Sequence, residues 1–291
     1  MIRRGERPGF IGLTVGCLLG VFVLGCALIW LAWNGTFWLI DRAVDFVPPS
    51  WEEAFGQAGA AGEAKRAVAD PVVDGAVQQI FGRLVKAAPA DQPYHFHIQP
   101  IWSTQENAYA LPGGQVLITS ALLANAKSPD EVAGVLGHEL QHVLGRHSFR
   151  AMAKKLGLAF VLSAAFGDQG LSGMIAEGSS KMLGLSFDRS QEWEADQVGV
   201  KLAHDAGYAP SAMADFFKRQ MEESKLHPSA QQALALLSDH PADADRLAQI
   251  YKLAGEMTPV KHQGPAVLAA WQVVRKHAAA IPKAHAKQTE N

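Results

Sequence analysis

The sequence predicts an α+β chain that is mostly helical, with one small β-sheet, preceded by a single membrane-spanning helix. Three observations carry this reading. The stretch from Pro8 to Ile40 contains no charged residue. Two short segments, Tyr94–Ile101 and Gln115–Thr119, have the pattern of strands. Through most of the rest, apolar residues recur at helical spacing. Of the 291 residues, 48% are hydrophobic and 19% charged, which excludes an intrinsically disordered chain. The net charge of −2 offers no basic field for nucleic acid. Two cysteines, Cys17 and Cys26, exclude a disulfide-stapled scaffold and a metal site built on thiolates.

Residues 1–41 read as a cytoplasmic tip and a membrane anchor. Phe10 to Trp33 supplies the roughly 20 apolar residues that a span needs. Trp30, Trp33 and Trp38 gather at one end, where indoles favour the membrane–water boundary. Arg3, Arg4 and Arg7 precede the span, whereas Asp41 and Asp45 follow it with only Arg42 to offset them. That bias predicts a cytoplasmic N-terminus and an exported, periplasmic remainder. A cleaved signal peptide needs a shorter apolar core and a small-residue site. A lipoprotein signal ending at Gly25-Cys26 needs a polar tether, and here apolar residues continue. The uncleaved single-pass anchor is the favoured reading, with the lipoprotein or cleaved secreted form as alternatives.

Residues 42–70 read as a linker with a short helix. Pro48-Pro49 stops the anchor, Ser50 and Glu53 have capping-box spacing, and Gly56 to Ala64 reads as a loose connection. The folded domain is expected over 71–281. Asp70-Pro71 starts a helix whose apolar face is Val73, Val77, Ile80, Phe81 and Leu84. The first strand puts His95 and His97 on one face, facing solvent, because no third metal ligand lies nearby. Pro112-Gly113-Gly114 turns into the second strand, giving a hairpin. Ser128, Pro129 and Glu131 start a capped helix expected to reach about His147. Later helices are expected near Asp188–Ala206, Ser211–Glu223, Pro241–Leu253 and Pro265–Ala279. Leu156 to Phe166 is too short to span a bilayer and reads as core. A disordered tail is expected over 282–291.

The chemistry sits on the capped helix, as His138-Glu139-Leu140-Gln141-His142. Residues four apart share a helical face, so the two imidazoles can hold one Zn²⁺. Glu139 lies about 100° round the helix, where it can take a proton from an activated water. In the longer zincin motif a third histidine follows six residues after the second; position 148 is Ser148, and His147 is one place early and expected to point elsewhere. A better third ligand is Glu192, with Asp196 one turn on to accept the other ring N–H of a zinc histidine. Gly199 extends that face where two helices must approach closely. Glu194 is expected to face solvent.

These strings, with Arg189-x-x-Glu192-x-Glu194-Ala195-Asp196-x-x-Gly199, resemble the CAAX prenyl protease and HtpX-like zinc metallopeptidase family. Asn107-Ala108-Tyr109-Ala110-Leu111-Pro112-Gly113-Gly114 is similar to the family's lead-in to the strand beside the active site. Asp239-His240-Pro241, with Arg246 beyond, is similar to its Thr-His-Pro string followed by Arg. Asp188 stands where the family usually has Ser, and the multi-span topology of the prenyl protease and HtpX branches is missing, which favours a branch with an exported soluble domain. The resemblance covers about Asn107 to Arg246 and implies a zincin-like metallopeptidase domain, with its small sheet or hairpin beside the active-site helix.

It implies one Zn²⁺ on His138, His142 and Glu192, with Glu139 as general base. His240 and Arg246 are implied as oxyanion donors; His240 as a fourth, inhibitory ligand is the competing role. Gln115, Val116, Leu117, Ile118 and Thr119 are expected to form an edge strand that pairs with extended substrate backbone. The expected activity is an anchored endopeptidase cutting exported or envelope proteins in quality control, with polypeptides as partners and no nucleic acid. The alternatives are a non-catalytic scaffold with a vestigial zinc site, which the presence of Glu139 argues against, and a small-peptide aminopeptidase.

Overall fold

The computed structural model describes residues 10–157, 160, 183, 185–226, 235–241, 243–260 and 264–289. Helix α1 (Phe10–Val44) is followed by α2 (Pro49–Gly62), α3 (Pro71–Ala87), β1 (His97–Ile101), β2 (Ala108–Ala110), β3 (Gln115–Thr119), α4 (Ser120–Asn125), α5 (Pro129–Leu144) and α6 (His147–Leu156). After these come α7 (Arg189–Asp205), α8 (Ala212–Leu226), α9 (Ala235–Asp239), α10 (Ala244–Glu256) and α11 (Pro265–Thr289). The segment read as core, Leu156–Phe166, lies outside the described residues except for Leu156, Gly157 and the buried Phe160.

Local chemistry sets the helix starts. Asp70 accepts from the Val72 and Val73 amides, Ser128 from Glu131, and Asp188 forms a full capping box with Gln191. Each cap satisfies backbone donors that a helix N-terminus leaves orphaned. The expected start of a helix at Pro241 is corrected to Ala244, because Asp243 accepts from the Arg246 amide. The last helix runs on to Thr289 through the tail expected to be disordered; its Ala, Lys and Gln residues are good helix formers. The apolar run of α1 is one candidate membrane span, Leu18–Val44, by length and composition.

The sheet order is β1-β3-β2, with β1 parallel and β2 antiparallel to β3. This corrects the expected edge strand: Gln115–Thr119 is central and hydrogen-bonded on both flanks. The outer edge belongs to Ala108–Ala110. Along β2 the odd residues serve β3, as in Thr119 N–H to Asn107 O at 3.0 Å and Leu111 N–H to Gln115 O at 2.8 Å. Alternation then turns the amides and carbonyls of Ala108 and Ala110 away from β3.

The loose connection expected at Gly56–Ala64 is instead mostly the second half of α2. Gly56 is a close-approach glycine, since a Cβ there would stand 1.9 Å from the Pro112 carbonyl oxygen. Helix α2 therefore braces the turn between β2 and β3. A buried cluster of Ile40, Val44, Val47, Phe55, Phe149 and Phe160 joins the end of α1 to α2 and α6. Ion pairs reinforce it. Arg150 reaches Asp45 Oδ1 and the Asp41 carbonyl, each at 2.5 Å, and Lys154 reaches Asp41 at 3.1 Å. Arg146, in the left-handed region at φ 58°, donates to Glu52 and to the Val47 carbonyl.

Candidate active site

Helices α5 and α7 cross at two glycines. A Cβ on Gly137 would meet the Gly199 carbonyl at 2.7 Å, and one on Gly199 would meet the His138 amide at 2.7 Å. This approach brings Glu192 and Asp196 against the face that carries His138 and His142. The four groups His138, His142, Glu192 and His240 are buried, and one ligand atom from each falls within 4.8 Å of all the others.

The spacings are those of a metal cage. His138 Nε2 lies 3.0 Å from His142 Nε2 and 3.2 Å from His240 Nδ1. Glu192 Oε2 lies 3.5 Å from His138 Nε2, and Glu192 Oε1 lies 3.5 Å from His142 Nε2. Ligand atoms at about 2.0–2.1 Å from a tetrahedral zinc stand about 3.3–3.4 Å apart. Glu192 Oε2 is buried, with the Arg246 guanidinium 2.8 Å away on its other side. The electrostatics agree with the geometry. Burial works against charge on His138, but hydrogen bonds to Asp196 and Glu192 outweigh it and lift the imidazole to about 9. Burial works to raise Glu192, and His138 and His240 outweigh it and hold the carboxyl far below its usual range. Burial, with the charges of His138 and His240, holds His142 well below an ordinary histidine. The carboxylates favour a cation at the centre of the cluster, and a nitrogen–carboxylate donor set suits zinc.

Glu139 stands beside the set, fully buried, with His240 Nε2 at 3.4 Å from its Oε1. Burial raises its carboxyl, offset in part by the His240 and His138 charges and by the Ala110 amide. Asp196 Oδ1 lies 3.0 Å from His138 Nδ1, behind the metal face of the ring. The Phe187 ring stacks on His142 at 3.9 Å and 24° and faces His240 at 5.4 Å, closing the outer side. A cleft of about 430 Å³, lined by Phe187, Arg189, Trp193 and Pro241, leads in to Glu192.

Three expectations need revision. Arg246 is not free to face an oxyanion: it grips Asp196 at 2.5 and 2.8 Å, Glu192 at 2.8 Å and the Pro241 carbonyl at 3.0 Å. Its charge is spent on the two carboxylates, so it orients them. His147 does not point elsewhere. The break at Arg146 swings it back until its Nδ1 lies 3.1 Å from His142 Nδ1, with Glu194 Oε2 3.6 Å from its other nitrogen. Glu194 is half exposed yet also accepts from Gln141 at 2.9 Å. His147 was missed because helical phase was carried through a point where the helix stops. His95 and His97 lie away from the cluster and face solvent, His95 against Glu53 at 3.2 Å.

An HExxH helix, a glycine-crossed second helix bringing Glu192, and a carboxylate held beside the ligand set together define a metallopeptidase domain. The model of peptidase family M48 matches residues 71–254, and the chain belongs to that family. Among curated relatives, the beta-barrel assembly-enhancing protease of Yersinia pestis is 30% identical over 204 residues, 65% of this chain and 40% of that protein. The protein of that name from Escherichia coli K12 is 29% identical over 66% of this chain and 41% of its own length. The mitochondrial metalloendopeptidase OMA1 of Schizosaccharomyces pombe is 29% identical over 60% of this chain and 51% of its own. The chain thus spans about half or less of the length of these relatives.

Proposed function

We propose that this protein is a membrane-anchored zinc endopeptidase that cuts extended segments of exported or envelope proteins, in a quality-control role. The observation that carries the reading is the convergence of His138, His142 and Glu192 with Glu139 beside them but outside the set. The name of the beta-barrel assembly-enhancing relatives supports an envelope setting. Bound zinc would supply a Lewis acid and lower the pKa of a water toward neutrality. Glu139 takes the proton of the attacking water and returns it to the leaving amine. The β2 edge at Ala108 is offered to the substrate backbone, a mode that reads extended chain more than side chains. Blocked-terminus casein tests the class: an endopeptidase cuts it in a chelator-sensitive way, an aminopeptidase does not, and a scaffold cuts neither form.

His240 is a resting fourth ligand in this reading. Its Nδ1 sits 2.8 Å from Glu192 and 3.2 Å from His138, inside the cluster. A closed four-ligand zinc has no open position, as in structural sites. His240→Ala is therefore expected to keep zinc and raise casein cleavage severalfold. A loss of turnover at unchanged KM would return His240 to the role of oxyanion donor.

The anchor reading carries its own prediction. The arginine bias ahead of α1 supports a domain outside the cytoplasm, so protease added to spheroplasts should digest it while the membrane is intact. Protection until lysis would reverse the orientation.

A further inference from the structure

The segment that carries His240 is tied to the start of the outer edge of β2, just ahead of Ala108. The Leu236 amide donates to the Glu106 carbonyl at 3.1 Å, and the His240 amide closes back on Leu236 at 2.8 Å. Between these, Asn107 makes two bonds with its two side-chain atoms. Its Nδ2 donates to Asp239 Oδ2 at 2.7 Å, beside His240, and its Oδ1 accepts from the Ala108 amide at 2.9 Å. Asn107 is fully buried, and its backbone is fixed by Thr119 on both sides. The Tyr109 phenol also lies against its side chain. The Ala108 amide is a group that a strand added to this edge would claim.

We propose that Asn107 is a positioning residue that couples pairing of a polypeptide strand on β2 to withdrawal of His240 from the metal ligands. An incoming carbonyl takes the Ala108 amide and displaces Asn107 Oδ1. The carboxamide then turns, its bond to Asp239 is lost, and the α9–His240 segment leaves the edge that the substrate now fills. One side chain thus reads strand occupancy on its acceptor atom and holds the latch on its donor atom. Extended polypeptide opens the site; a ligand too short to reach Ala108 does not. The inference rests on the endopeptidase reading with His240 as resting ligand.

The test uses hydrogen exchange of the Leu236 and His240 amides in the full-length, zinc-loaded protein, in a Glu139→Gln background so that nothing is cut. Reduced, carboxymethylated casein is the probe. Casein should lower protection of both amides. Asn107→Asp keeps an acceptor for Ala108 and sets a carboxylate against Asp239, so protection should fall roughly tenfold or more without casein, and casein should add little. Asp239→Ala, on the part-exposed side of the same bond, should do the same and stands in should Asn107→Asp not fold. The swap Asn107→Asp/Asp239→Asn rebuilds the bond with donor and acceptor exchanged, and should restore both protection and the response to casein. Unchanged protection in Asn107→Asp or Asp239→Ala, no response of the parent to casein, or no restoration by the swap would each overturn the coupling. Casein left uncut by the protein with Glu139 intact would instead overturn the endopeptidase reading, which the exchange measurement does not touch.

Discussion

Glu139→Gln is expected to lower casein cleavage by roughly 10²–10⁴-fold while metal content stays at one ion per chain. The reason is positional. Glu139 has both carboxyl oxygens buried and short of a well-formed hydrogen bond, and it lies outside the ligand set. The amide keeps the shape and loses only the capacity to accept a proton. Burial already disfavours the charged form, so the variant should melt no lower than the parent. Glu192→Ala is the control with the opposite signature, losing metal and stability together because ligand binding is coupled to folding. Metal content and melting temperature, read beside turnover, separate the two. Loss of metal from Glu139→Gln would mean that this carboxylate is a ligand after all.

Gly199→Ala is expected to destabilise the domain and weaken metal binding together. The added carbon would stand 2.7 Å from the His138 amide nitrogen, a backbone atom of a buried helix that cannot rotate aside. Helix α7 must move, and Glu192 and Asp196 move with it. Overpacking of this kind costs about 1–3 kcal/mol, and disturbing the carboxylate behind a ligating histidine typically costs about 10–100-fold in metal affinity. Helix propensity pulls the other way, since Ala is better than Gly by about 1 kcal/mol. Gly75→Ala isolates that term: it is exposed on α3 with nothing within 4 Å of the new carbon. Gly75→Ala should stabilise and Gly199→Ala destabilise, with metal affinity falling only in the second. Equal melting shifts would show that the crossing is looser than its geometry.

What the sequence disclosed was what local spacing encodes. Asp70, Ser128 and Asp188 announce helix starts because a cap and its amide are two or three residues apart. His138 and His142 share a face because four residues make about one turn, and the same arithmetic puts Asp196 over Glu192. The unforeseen parts depend on partners distant in the chain. β1 pairs parallel to β3 from about 18 residues away, and nothing in either segment states that order, so the edge was assigned to the wrong strand. Arg246 was read by its charge alone, and only the fold reveals two carboxylates that absorb it. Gly56 looked like slack, yet it is glycine because a carbonyl from the β2–β3 turn presses on it. His147 depended on one left-handed residue, Arg146, which no periodicity forecasts.

The clamp of Arg146, Arg150 and Lys154 on Glu52, Asp45 and Asp41 fixes a height. Arg146 lies just past the end of the helix that carries His142, and it grips the chain just past the end of α1. With α1 in a bilayer, the catalytic centre is carried on a bracket close above the lipid headgroups. It has no flexible tether with which to sweep the compartment. On the anchored reading proposed above, the radius of action would be short, reaching only chains near the same membrane face. Proximity to the lipid surface, before any pocket, would select what is cut.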